Sequence, residues 1–133
     1  MREKIRVLQY GALSGTYGGM ESYITAQWKA VDRSKIQYDF LVPENEEHVA
    51  YEEDIERLGG RIYKKWVGRK RGVLRHYIAL YRFFREHPYD VVVGNFLNLN
   101  NIDCLLFAWL FRVPIRVAHA HAAAVDYPSV PQK

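Results

Sequence analysis

Short β-branched apolar runs alternate with segments of helical period along the whole chain, and no hairpin signal joins any two of the runs. Ile5–Tyr10 is a β-rich run ended by Gly11, and residues 21–31 then space Tyr23, Ile24, Trp28 and Val31 along one helix face. Residues 37–42 give a second strand closed by Pro43. A helix over about 48–58 ends at Gly59-Gly60, and 61–64 form a short third strand. Val73–Glu86 reads as an amphipathic helix whose buried side is Leu74, Tyr77, Ile78, Tyr81 and Phe84, with Phe83 beside them, and His87-Pro88 ends it. Residues 90–93 give a fourth strand whose Val91-Val-Val93 run is continuously apolar, as in a strand buried on both faces; 101–111 read as a buried helix and 113–119 as a fifth strand. Strands separated by helices must pair in parallel through crossovers. The expected fold is therefore α/β, a Rossmann-like parallel sheet with helices on both faces. One domain is expected over residues 1–122, with the polar, proline-bearing stretch 123–133 a tail or truncation point.

With 49% hydrophobic residues among 133, the chain can bury a core of its own, which excludes intrinsic disorder. The single cysteine, Cys104, lies inside the apolar stretch 101–111, so a buried, inert thiol in a reducing compartment is expected. No signal-peptide core follows Met1, and no apolar run approaches the roughly 20 residues of a membrane span, so a cytoplasmic protein is expected. The net charge of +4 is unevenly placed. Arg61, Lys64, Lys65, Arg69, Lys70, Arg71, Arg75, Arg82 and Arg85 follow one another without an acid, whereas residues 44–56 are acidic. Such a basic stretch suits anionic lipid headgroups, polyphosphate or nucleic acid; it equally suits a solvated helix flank and loop.

Ligands of a doubly wound sheet bind outside the carboxyl ends of its strands, and two segments fall there. The first is Ser14-Gly-Thr-Tyr-Gly-Gly-Met-Glu21, where Gly18 and Gly19 allow close backbone approach and the following helix start offers free N–H groups to a phosphate or diphosphate. Its G-x-x-G-G spacing is not the G-x-G-x-x-G of dinucleotide sites, and no Walker lysine follows, so neither NAD, FAD nor a P-loop is implied. The second is Ala118-His-Ala-His-Ala122. Strand geometry would put His119 and His121 on one side, with His121 reaching a sugar hydroxyl or phosphate and His119 packed at the strand end. A metal would need a third ligand, for which only Asp126 is near, and none is assigned. Asn95, after the fourth strand, is a further possible contact.

Six motifs in order resemble family-4 glycosyltransferases of bacterial capsule and exopolysaccharide synthesis. They are Arg6-Val-Leu-Gln-Tyr10, Gly18-Gly-Met-Glu-Ser-Tyr23, the stretch 32–40, Leu58-Gly-Gly-Arg-Ile-Tyr63, Tyr89-Asp-Val-Val-Val93 and Pro114-Ile-Arg-Val-Ala-His-Ala-His121. The resemblance implies the N-terminal, acceptor-side domain of a retaining GT-B enzyme that uses a nucleotide-sugar donor and needs no metal or other cofactor. It would place Gly18, Gly19, Met20 and Glu21 at the diphosphate or an acceptor phosphate, His121 beside the transferred sugar as the catalytic residue, and Asn95 and His119 near the acceptor. Lipid-linked saccharide acceptors would give Arg69, Lys70, Arg71 and Arg75 an anionic membrane surface to meet. Gly94-Asn95-Phe96 stands where the family has a histidine pair, and His119-Ala-His-Ala122 where it has His-Ser-His-Asn. The resemblance implies that the donor-binding domain, which carries the family's E-x7-E carboxylates, is absent here, so no transferase activity is expected of this chain alone.

Other readings remain open at this level. A stand-alone flavodoxin-like phosphate- or nucleotide-binding module shares the glycine loop and the sheet. A two-chain transferase would have its donor half encoded separately. Tyr77 and Tyr81 fall at core-facing spacing, which disfavours base stacking and hence a nucleic-acid partner. A sheet lacking its last strands would leave an open edge, so self-association is expected.

Overall fold

The structure is a computed structural model that describes residues 4–11, 13, 19–96 and 102–120. Alternating elements run β1 (Ile5–Tyr10), α1 (Gly19–Ala30), β2 (Ile36–Pro43), α2 (Glu52–Arg57), β3 (Arg61–Trp66), α3 (Val73–Glu86), β4 (Val91–Phe96), α4 (Asp103–Leu110) and β5 (Ile115–Ala120). The strands form one sheet in the order β3-β2-β1-β4-β5, every pairing parallel. The chain thus winds outward from β1 to one edge, then crosses back and winds out through β4 to the other. The Rossmann-like α/β fold expected from the alternation is the one observed.

Because strand side chains alternate, each strand feeds two cores. Leu8, Tyr10, Leu41 and Val92 face α3 and α4, where Leu80, Phe83, Phe84, Cys104 and Phe107 meet them. Val7, Tyr38, Phe40 and Val42 face the opposite side, under Ile24 and Trp28 of α1 and Ile55 of α2. Full burial of a side chain such as Phe40 stabilises the fold by roughly 1.5–3 kcal/mol. Gly60 lets this second core close, because a Cβ there would lie 2.6 Å from Ile55 and 3.0 Å from the Trp28 ring nitrogen. Cys104 is fully buried as expected, and burial pushes its thiol well above the ordinary range.

Three expectations are corrected. The helix placed at 48–58 begins only at Glu52, because Tyr51 adopts a left-handed backbone (φ 62°) and Val49 and Ala50 turn inward into the core. The buried side of α3 is His76, Leu80, Phe83 and Phe84, whereas Leu74, Ile78 and Tyr81 are exposed and Tyr77 half-buried. A polar residue thus holds a core position that the apolar pattern assigned to its neighbours. Helix α4 is not buried all round: Leu106, Trp109 and Leu110 are exposed, as are Ile115 and Val117 on the adjoining edge strand β5.

A candidate functional site at the carboxyl ends of the strands

The central strands β1 and β4 end side by side, with Tyr10 in register with Gly94, and β4 in turn pairs Asn95 with His119 of β5. The turn after β1 comes close to the end of β4. Gly11 has φ +79° and passes so near that a Cβ on it would lie 2.5 Å from the carbonyl oxygen of Asn95. Only glycine tolerates both the dihedral and the approach. Asn95, 4% exposed, donates its side-chain amide to Gln9 Oε1 at 2.9 Å and to the Tyr10 carbonyl at 3.2 Å. The two strand ends are therefore tied by a buried amide pair, which satisfies polar groups that would otherwise be costly to bury.

His119 lies on the α1 face of the sheet, half-buried, and presents its ring edge to Tyr23 of α1 at 5.8 Å between centroids. Between α1 and the sheet opens a cavity of about 420 Å³, lined among others by Gln9, Tyr23, Gln27, Tyr38, Val93 and His119. Tyr38 donates its hydroxyl to Gln27 Oε1 at 3.1 Å, and burial raises its phenol above the ordinary range. The lining combines valines with an imidazole, two phenols and two amides. Such a site can hydrogen-bond hydroxyl groups while its valines accept an apolar face.

The expected site residues do not all converge here. Asn95 and His119 are neighbours in register, but the Asn95 side chain is turned inward to Gln9. Gly19 opens α1 and is exposed, and a Cβ there would meet nothing within 4 Å among the described residues. Met20 packs against the α1-side core and Glu21 is buried in the first turn, so neither presents an open side chain. Gly18 and His121 lie outside the described residues. Among the described residues no group of three or more His, Cys, Asp or Glu could hold a metal ion. Sequence reasoning passed over Gln9, Gly11 and Tyr23; Gly11, directly after the first strand, carried the one available signal.

Residues 18–133 match the glycosyl transferase 4-like domain family. The chain belongs to that family. Over 105 residues it is 30% identical to EpsF of Bacillus subtilis (strain 168), a protein assigned as a glycosyltransferase; the match covers 78% of this chain and 27% of EpsF. Its fold is similar to that of MurG from Acinetobacter baumannii, with a TM-score of 0.59 and 16% identity over 92% of this chain and 36% of that one. The chain therefore spans about a quarter to a third of the relatives it matches. In this glycosyl transferase 4-like domain the candidate residues Asn95 and His119 pair near the ends of β4 and β5, the edge at which doubly wound sheets bind ligands. No helix among its described residues is long and apolar enough to cross a membrane.

The basic stretch is partly spoken for within the domain. Glu44 pairs with Arg75 at 3.0 Å and approaches Arg71 at 3.9 Å, and Lys64 pairs with Glu52 at 3.5 Å. Lys70, Arg82 and Arg85 are exposed, and the Arg69 side chain lies outside the described part. The exposed cations flank the exposed apolar side chains Val73, Leu74, Ile78 and Tyr81 of α3.

Proposed function

We propose that this domain is the acceptor-side wall of a retaining glycosyltransferase, which moves a sugar from a nucleotide-sugar donor to a saccharide or lipid-linked saccharide in surface polysaccharide synthesis. The observation that carries the reading is the cluster at the ends of β1, β4 and β5, where Gly11, the Gln9–Asn95 pair and His119 meet in a chain of this family. In this reading the backbone N–H groups at Gly18 and Gly19 face the donor diphosphate or an acceptor phosphate. His121 stands beside the transferred sugar, and His119 contacts the acceptor. Asn95 acts by holding the strand ends in register rather than by touching substrate, because its amide is already engaged. Met20 and Glu21 shape the helix start from within.

The opposite wall, which binds the donor nucleotide, belongs to a second domain in the same or a separate polypeptide. Transfer requires both walls to hold reactants in near-attack geometry, so this domain alone does not catalyse it. The protein works at the cytoplasmic face of a membrane, against which α3 lays Val73, Leu74, Ile78 and Tyr81 with Lys70, Arg82 and Arg85 around them. No nucleic-acid partner and no cofactor is invoked, and the isolated domain self-associates through β5.

The deciding experiment supplies the parent protein with a panel of radiolabelled nucleotide sugars and membrane-extracted acceptors. Labelled saccharide formed with retained anomeric configuration supports the reading. Its absence, together with tight nucleotide or flavin binding by the 133-residue chain alone, would replace the reading with a stand-alone binding module.

A further inference from the structure

His76 is fully buried, and neither ring nitrogen lacks a partner: Nδ1 lies 2.6 Å from the Val67 carbonyl oxygen and Nε2 lies 2.9 Å from Asp103 Oδ2. A carbonyl can only accept, so Nδ1 carries a hydrogen. The second contact then allows two arrangements. Either Nε2 also carries a hydrogen and the ring is an imidazolium against a carboxylate, or a neutral ring accepts a proton from a neutral Asp103 acid. Asp103 is the first residue of α4, where free backbone N–H groups and the positive end of the helix favour a carboxylate. That placement selects the ion pair.

We propose that His76 and Asp103 form a buried imidazolium–carboxylate pair whose role is to position the carboxyl edge of the sheet, by locking the start of α4 to the start of α3 and to the connection that follows β3. The three tied points come from separate stretches of chain: Val67 just beyond β3, His76 in the first turn of α3, and Asp103 opening α4. In a parallel sheet these helix starts all lie at the carboxyl ends of the strands, the edge that binds ligands. Rings of Trp66 and Tyr77 enclose the imidazole at centroid distances of 4.9 and 5.1 Å, which shields the pair from water. A buried ion pair is a poor source of net stability, since desolvation offsets attraction. What it supplies is geometry, because a displaced α4 would part the buried imidazolium from its carboxylate. That this geometry serves an acceptor site rests on the glycosyltransferase reading; the pair itself does not.

The test uses the chain labelled with nitrogen-15 in histidine, read by proton–nitrogen NMR at neutral pH. The expected spectrum shows both ring nitrogens of His76 protonated and in slow exchange with water. In Asp103→Asn the side-chain amide can turn and donate to Nε2, so the ring is expected neutral, with Nε2 unprotonated and the amides of α4 still protected. In His76→Ala the first-turn amides of α4 are expected to exchange on the order of a hundredfold faster while those of β1 and β2 stay protected. A wild-type Nε2 without a proton would overturn the charged pair. Protection in His76→Ala lost equally from α4 and the central strands, or lost from neither, would overturn the positioning role. All these readouts come from the domain itself, so a parent protein devoid of transferase activity would leave them untouched.

Discussion

The hydroxyl of Tyr89 donates to the carboxylate of Asp39 at 2.8 Å, joining the turn before β4 to the middle of β2 across the strand that lies between them. Asp39 is wholly buried, and Arg6 on that intervening strand approaches the same oxygen at 3.3 Å while its guanidinium lies 5.1 Å from the centre of the Tyr89 ring. Three strands of sequence are thus pinned at the amino-terminal edge of the sheet, opposite the ligand edge.

This network predicts two separable losses. Tyr89→Phe removes one hydrogen bond to a charge and should cost about 1.5–3 kcal/mol, whereas Asp39→Ala strands a partly buried Arg6 and should cost about 3–5 kcal/mol. Burial, and then the neighbouring Asp39 charge, push the Tyr89 phenol far above its ordinary range. A group with a raised folded value stabilises the native state fully below its unfolded value and loses that contribution as pH rises beyond it. Urea titrations should therefore show wild-type stability falling above about pH 10, where the unfolded tyrosine ionises, with a smaller fall in Tyr89→Phe. Equal slopes in the two proteins would remove Tyr89 from the account.

The fold was legible because its signal is local. The order of apolar runs and helical segments gave the parallel sheet, and Val73–Glu86 has the bounds its pattern predicts. What escaped depends on partners far away in sequence. His76 holds a core position through Asp103, 27 residues on, so a polar letter displaced the expected apolar stripe of α3 by two residues. Gln9 lines the cavity and is held there by Asn95, 86 residues on, and no spacing rule joins them. The late start of the second helix followed from a left-handed Tyr51, a conformation that bulky residues rarely signal in advance.

The misplaced stripe of α3 carries its own consequence. Leu74 is 74% exposed, and Val73, Ile78 and Tyr81 accompany it on the surface beside Lys70, Arg82 and Arg85. An apolar strip with a cationic border fits the interface of an anionic bilayer, with attraction worth about 1 kcal/mol per basic residue. The domain should co-sediment with vesicles containing phosphatidylglycerol and not with purely zwitterionic ones. Leu74→Ser combined with Ile78→Ser should weaken binding at every salt concentration, while Arg82→Glu should weaken it mainly at low salt, where screening is least. Binding that ignores both lipid charge and these changes would dismiss α3 as a membrane face.

The two edges of the sheet are built differently. On one, β3 exposes Arg61 and Lys65, charges that discourage a further strand. On the other, β5 carries Ile115 and Val117, the latter 39% exposed, with Leu106, Leu110 and the 58%-exposed Trp109 of α4 alongside. Arg116 is the only Lys or Arg in β5, and it donates to the Val113 carbonyl at 2.9 Å. An edge so lacking in charge should pair with another, and the 133-residue chain should sediment as a dimer or larger species in a concentration-dependent way. Replacing Val117 with lysine puts a charge on the apolar side of that edge, where pairing would desolvate it, and should shift the chain toward monomer without lowering its melting temperature. Lys65→Ala on the far edge is the control, because that edge is protected by Arg61 as well and should leave the monomer fraction unchanged. A wild-type chain that stays monomeric at high concentration would mean that α4 and β5 tolerate their exposed apolar surface in water.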